Sequence, residues 1–166
     1  MIAFTITHVI ISLLGIGSGF VVIYGFLTAK RLDSWSAFFL ATTILTSVTG
    51  FFFPFEGFTP GHAIGILSLL ALGLAVVARY PMRMAGGWRP TYVVSALVSQ
   101  YFNFAVLIIQ SFLKVPALKD LAPTPTEPIT QLVVLMLFVI IAAASIARFR
   151  PVDSELATLT KSSVLS

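Results

Sequence analysis

The chain has 166 residues, of which 58% are hydrophobic and only 10% are charged, and it contains no cysteine. A soluble domain carries about 25% charged residues, so this composition excludes an ordinary soluble protein. The absence of cysteine excludes disulfides, thiolate catalysis and iron–sulfur clusters, and the net charge of +4 indicates basic loops held against anionic lipid rather than binding of nucleic acid.

Five stretches without Asp, Glu, Lys or Arg predict five transmembrane helices. They cover residues 1–29, 34–55, 57–78, 90–113 and 128–147. Each has about 20 residues or more, the length with which an α-helix spans a hydrocarbon core of roughly 30 Å. The first stretch has no basic beginning and is followed by Lys30 and Arg31, so we interpret it as a retained helix and not as a signal peptide.

Short connections rich in proline, glycine or charge separate the predicted helices. They cover residues 30–34, 54–61, 81–90 and 114–128, and the last contains four prolines that favour an extended path. The fold class that follows is an all-α polytopic bundle. We predict a single five-span transmembrane domain over residues 1–150 and a cytoplasmic tail over residues 151–166.

Basic residues concentrate on one side of this predicted bundle. Eight belong to the side that carries the C-terminus, namely Lys30, Arg31, Arg79, Arg83, Arg89, Arg148, Arg150 and Lys161. The opposite side receives only Lys114 and Lys119. Because cytoplasmic loops carry the excess of Lys and Arg, we predict an outside N-terminus and a cytoplasmic C-terminus in a multi-pass protein of the cell inner membrane.

Small and polar residues predict which helix faces point into the bundle, because apolar residues are equally stable against lipid. At helical spacing they form the sets Thr5, His8, Ser12, Gly15 and Gly19; Thr42, Thr46 and Thr49; His62, Gly65 and Gly73; and Tyr92, Ser95, Ser99, Asn103 and Gln110. Hydroxyl and glycine contacts of this kind are ordinarily structural. The last predicted helix has the least marked face, so we expect it at the periphery.

Four polar residues converge near the predicted outer surface. His8 lies one turn into the first helix, Glu56 and His62 flank the start of the third, and Gln110 lies near the outer end of the fourth. Asn103 lies near the membrane centre, where an unpaired amide is costly, so we expect it to face the bundle with its amide bonded to protein or water. We predict a ligand site from these five residues, with His8 and His62 close together. The alternative is a purely structural role at the interface, where such side chains are stable.

Three functions are compatible with this pattern. The first is a non-enzymatic membrane protein that holds a small ligand or cofactor between helices one, three and four, alone or in a larger assembly. The second is an oligomeric channel or transporter whose path is lined by Tyr92, Ser95 and Ser99. The third is a redox protein in which His8 and His62 ligate haem b or a metal ion.

The sequence leaves the ligand unidentified, since it contains no recognisable catalytic or nucleotide-binding motif. The partners that it predicts are the lipid bilayer and a second copy of the chain or other membrane subunits. The reason is the pair Gly15 and Gly19, whose spacing permits close approach between helices.

Overall fold

The computed structural model describes residues 2–53, 60–120 and 126–150, and these residues form helices and turns without strands. The helices are α1 (Ile2–Leu27), α2 (Asp33–Gly50), α3 (Pro60–Arg79), α4 (Trp88–Lys114), the single turn α5 (Pro116–Lys119) and α6 (Thr126–Arg148). The predicted all-α fold class is therefore confirmed. The predicted tail at 151–166 and Glu56 lie outside the described residues.

Four helices in the described part of the chain, α1, α3, α4 and α6, are long and apolar enough to cross a membrane. This indicates a helical membrane protein. The helix α2 has 18 residues and does not belong to this group, because Asp33 and seven Ser and Thr residues make it less apolar than the other four. Five spans and the sides of the two termini therefore stay predictions.

Contacts between helix ends show that α1, α2 and α3 follow one another in antiparallel order. His8 near the start of α1 meets Thr49 near the end of α2, and the ring of Phe51 after α2 packs at a tilt against His62 at the start of α3. At the opposite end, Arg79 of α3 binds the first residue of α2. We call these two ends of the bundle the histidine end, with His8 and His62, and the arginine end, with Arg79.

The helix α4 is the centre of the bundle, since within the described residues it contacts every other helix. The helix α6 lies against α4 and α1 and buries only Phe138 and Ser145. Its outer side chains are apolar and more than half exposed, and they include Ile129, Leu132, Val133, Met136 and Ile140. Such a surface is suited to lipid, and it agrees with the peripheral position predicted for the last helix.

The arginine end is closely packed. Arg79 is 7% exposed, its Nη2 donates to Oδ1 of Asp33 at 2.5 Å, and its guanidinium carbon lies 5.1 Å from the centroid of the Tyr92 ring. The rings of Tyr92 and Phe26 meet edge to face at 5.5 Å, and Phe26 meets Phe149 at 4.9 Å. Ion pairing and aromatic contacts therefore hold α1, α2, α3, α4 and the end of α6 together here.

The glycine at position 19 accommodates a side chain of α4. A Cβ atom at Gly19 would lie 2.1 Å from Oε1 of Gln100. Gln100 is 1% exposed, and its Nε2 donates to the carbonyl oxygen of Ile16 at 2.8 Å. Gly19 therefore makes a close helix contact within one chain. Association with further subunits stays a prediction.

Candidate functional site

A cavity of about 760 Å³ lies at the histidine end between α1, α2, α3 and α4. Its volume falls within the roughly 300–1,000 Å³ of ordinary ligand pockets. Its walls are formed in large part by apolar side chains, which include Val9, Leu13, Ile16, Val106 and Leu107. The cavity is therefore large enough, and apolar enough, for a small organic molecule.

Four of the five predicted ligand-binding residues line this cavity. They are His8, His62, Asn103 and Gln110. The fifth, Glu56, lies outside the described residues. The sequence had indicated a site between the first, third and fourth helices, and the structure adds α2 as a further wall, through Thr46 and Gly50.

The ring of His8 is oriented by α2. Its Nδ1 lies 2.8 Å from Oγ1 of Thr49, and that hydroxyl donates its single proton to the carbonyl oxygen of Leu45 at 2.7 Å. With the proton donated to that carbonyl, Oγ1 accepts from His8; the tautomer assigned from this network carries its proton on Nδ1 and keeps Nε2 as an acceptor. The ring of Phe53 packs against the same imidazole at 5.0 Å.

His62 has a different aromatic neighbour. Its ring lies 5.8 Å from that of Phe51, and Cζ of Phe51 would be 3.0 Å from a Cβ atom at Gly65. The small residue at position 65 thus makes room for the Phe51 ring, which packs against His62. Both histidines face one cavity, and their sharing of a single ligand stays a prediction.

Within the ranges 2–53, 60–120 and 126–150, no three His or acidic residues come together to hold a metal ion. A three-residue site composed of His8, His62 and Glu56 is not tested by this finding, because Glu56 lies outside those ranges. A two-histidine site also stays a prediction. His8 does show one feature of metal-binding histidines, since a partner holds its Nδ1–H and Nε2 is left to act as a ligand.

Three buried polar atoms have no hydrogen-bond partner in the described protein. They are Nδ2 of Asn103 and Oγ1 of Thr43 and of Thr46. Thr46 and Asn103 line the cavity, whereas Thr43 lies behind its wall. A Cβ atom at Gly15 would lie 3.2 Å from both Nδ2 of Asn103 and Oγ1 of Thr43, so both side chains pack beside Gly15. We call Thr46 and Asn103 the polar floor.

Asn103 faces the cavity between the helices, and its amide nitrogen has no acceptor in the described protein. Its expected bond to water stays a prediction. A buried donor without an acceptor costs about 1–3 kcal/mol. Thr46 is 8% exposed and, like Asn103, lines the cavity. Both polar atoms have almost no accessible surface, so a polar group of a ligand or an ordered water molecule reaches them when these two side chains rotate toward the cavity.

The predicted pathway residues Tyr92, Ser95 and Ser99 are not brought to the cavity. All three are buried where α4 packs against its neighbours. The hydroxyl of Ser99 donates to the carbonyl oxygen of Ser95 at 2.8 Å, and that of Ser95 donates to the carbonyl oxygen of Thr91. The hydroxyl protons of Ser95 and Ser99 are therefore satisfied within α4. A path along the stripe stays a prediction.

The mouth of the cavity, near the end of α4, carries a polar and a charged side chain. Gln110 and Lys114 both line it, and both side chains are exposed.

Comparison of the chain with protein-family models, with curated proteins and with solved structures found no match. The functional assignment therefore depends on the cavity and on the residues that line it.

Proposed function

We propose that this protein is a non-enzymatic integral membrane protein that binds a small, largely apolar ligand in the cavity at the histidine end. The observation that supports it is the combination of apolar walls with a polar floor whose atoms have no partner in the described protein. Ligand pockets generally combine apolar surface with a few polar groups that orient the ligand. A purely structural packing of these four helices would favour filling the space.

The charge distribution supports an outer position for this site. The described cations of the arginine end are Lys30, Arg31, Arg79, Arg83, Arg89, Arg148 and Arg150, and those of the histidine end are Lys114 and Lys119. Positive loops stay in the cytoplasm. We therefore propose that the arginine end is cytoplasmic and that the ligand is bound in the outer half of an inner membrane.

Two adjacent leucines of α1 allow a matched test. Leu13 is 50% exposed and Leu14 is 49% exposed, but only Leu13 lines the cavity. The protein is purified in lipid nanodiscs, and small molecules extracted from it are compared by mass spectrometry with those from empty nanodiscs. We expect an enriched apolar compound in the wild type and in Leu14→Trp, and at least tenfold less of it in Leu13→Trp, because the larger ring fills the cavity.

Two results would contradict the proposal. One is that no compound is enriched over empty nanodiscs. The other is that Leu13→Trp and Leu14→Trp retain equal amounts, which would place the compound on the lipid-facing surface of α1.

The geometry of His8 favours a second candidate, a haem- or metal-dependent redox protein. The supporting observation is the bond between Nδ1 of His8 and Thr49, which leaves Nε2 as the nitrogen that could bind iron. An absorption spectrum and metal analysis of the purified protein test it. A Soret band or one metal ion per chain that is lost in His8→Ala would favour this function, and a colourless, metal-free protein would reject it.

A further inference from the structure

We infer that the ligand is a neutral amphiphile dissolved in the bilayer, and that it binds with a hydrogen-bond acceptor, such as a carbonyl oxygen, on the polar floor. It enters the cavity sideways, between α1 and α4. This inference rests on the proposed function and adds the chemical class of the ligand, its orientation and its route.

The sideways route follows from where α1 and α4 are joined. Their specific contacts lie in the half of α1 toward the arginine end, where Gly19 meets Gln100 and Phe20 meets Phe104 at 5.8 Å between ring centroids. Toward the histidine end, the cavity lies between the two helices. Within the described residues α1 also has no contact with α3, so its first half packs mainly on α2.

Two side chains mark the opening. Val9 and Leu13 line the cavity and are nevertheless 44% and 50% exposed, so the space between them and α4 communicates with the surroundings. Leu13 lies about 17 Å along α1 from its first residue, at 1.5 Å per residue, which is roughly half of a 30 Å hydrocarbon core. At that depth the surroundings are lipid chains, and an apolar molecule reaches the cavity without crossing water.

The acceptor on the ligand follows from the donors on the floor. The amide nitrogen of Asn103 can only donate, and the hydroxyl of Thr46 has a proton to give. The cationic side chain nearest to the cavity, Lys114, lies at its mouth, about 16 Å along α4 from Asn103. A charged head would therefore be unpaired at the floor and costly there, whereas a neutral carbonyl oxygen accepts a hydrogen bond from either donor when its side chain turns toward the cavity.

Two probes with the same alkyl chain show how much the hydrogen-bond acceptor and the apolar part of the ligand each contribute to binding. Decyl-1,4-benzoquinone carries two carbonyl oxygens, and decylbenzene carries none. Each is distributed between nanodiscs with the protein and empty nanodiscs, and its enrichment is measured by mass spectrometry. We expect the wild type to enrich the quinone about tenfold more than decylbenzene, because only the quinone satisfies the donors of the polar floor.

Substitutions in the polar floor then show which side chain donates a hydrogen bond to the quinone. Thr46→Val keeps the shape of the side chain and removes the hydroxyl, and Asn103→Leu removes the amide. Each should lower quinone enrichment about fivefold to tenfold and leave decylbenzene unchanged. Thr42→Val is the matched control on α2, because the Thr42 hydroxyl donates to its own helix, to the carbonyl oxygen of Phe38 at 2.8 Å.

The route is tested by the rate of association measured after rapid mixing of the quinone with the nanodiscs. We expect Val9→Trp, at the opening between α1 and α4, to slow association at least tenfold, and Val115→Trp, just after the mouth end of α4 and 43% exposed in the wild type, to leave it unchanged. The opposite result would overturn the sideways route.

The outcomes also separate this inference from the proposed function. If the wild type enriches both probes equally, or if neither floor variant changes quinone binding, the floor is occupied by water and the inferred ligand class is wrong, while an apolar ligand site remains. If neither probe is enriched in the wild type, the proposed function fails as well.

Discussion

Gln100 fits closely into the space beside Gly19, where a Cβ atom would lie 2.1 Å from its Oε1. The amide of Gln100 is almost completely buried, and its bond to the carbonyl oxygen of Ile16 keeps the nitrogen paired inside the membrane. A polar side chain can lie here because the neighbouring residue has no Cβ atom. The glycine therefore permits a hydrogen bond between helices as well as their close approach.

Gly19→Ala should accordingly destabilise the protein by about 1–3 kcal/mol, because the new methyl group displaces Gln100 and breaks its bond to Ile16. Gly17→Ala is the control on the same helix, since a Cβ atom at Gly17 would meet nothing within 4 Å. We expect that variant to be neutral or slightly more stable, as alanine favours a helix. The measurement is thermal or denaturant unfolding in detergent.

Combining the two substitutions gives an internal check. In Gln100→Ala the side chain that Gly19→Ala displaces is absent, so the double variant should lose less stability than the sum of the single variants. Equal stability of Gly19→Ala and Gly17→Ala would mean that the contact contributes little.

Among the helices, α2 shows how a polar segment can be stable inside a bundle. Several of its hydroxyl groups form hydrogen bonds within α2 or to α3. Thr42 and Thr49 donate to carbonyl oxygens of α2 itself, and Ser47 donates to Ser68 of α3 at 3.3 Å. At its first residue, Asp33 binds Arg79. Pairing of these groups lowers the cost of placing α2 within the membrane, and among its threonines Thr43 and Thr46 are left without a partner in the described protein.

We predict that α2 does cross. The chain has no cysteine, so single cysteines can be placed in Ala29→Cys, before α2, and in Phe52→Cys, after it, at two exposed positions. A membrane-impermeant maleimide added to intact cells should label Phe52→Cys and should label Ala29→Cys only after permeabilisation. Labelling of both in intact cells, or of neither, would show that α2 lies in the bundle without crossing.

At the scale of the whole molecule, the two ends of the bundle differ in charge, and this difference predicts its orientation. Ala85→Cys lies in the connection between α3 and α4, and Ala117→Cys lies in the turn α5; both positions are exposed. Neither substitution changes the charge. We expect the reagent to label Ala117→Cys in intact cells and Ala85→Cys only after permeabilisation, and the reverse pattern would invert the proposed orientation.

The fold class and much of the cavity lining could be predicted from the sequence. Uncharged stretches locate the helices, and helical phase together with depth brings His8, His62, Asn103 and Gln110 to one cavity. Phase identifies the inward face of a helix, but it does not show which neighbour occupies that face. The threonines of α2 were therefore interpreted as structural contacts, although Thr46 belongs to the polar floor. Gln100 was missed for the same reason, since its place depends on Gly19.

The helix α1 meets α4 closely at Gly19 and Gln100. From there to Ile2, a length of about 25 Å, it packs on α2 and leaves the cavity on the side of α4. A tilt of α1 and α2 by about 5° around this contact would move the start of α1 by about 2 Å and its end at Leu27 by about 1 Å. Small changes in packing beside Gly19 would therefore change the width of the cavity more than they change the arginine end.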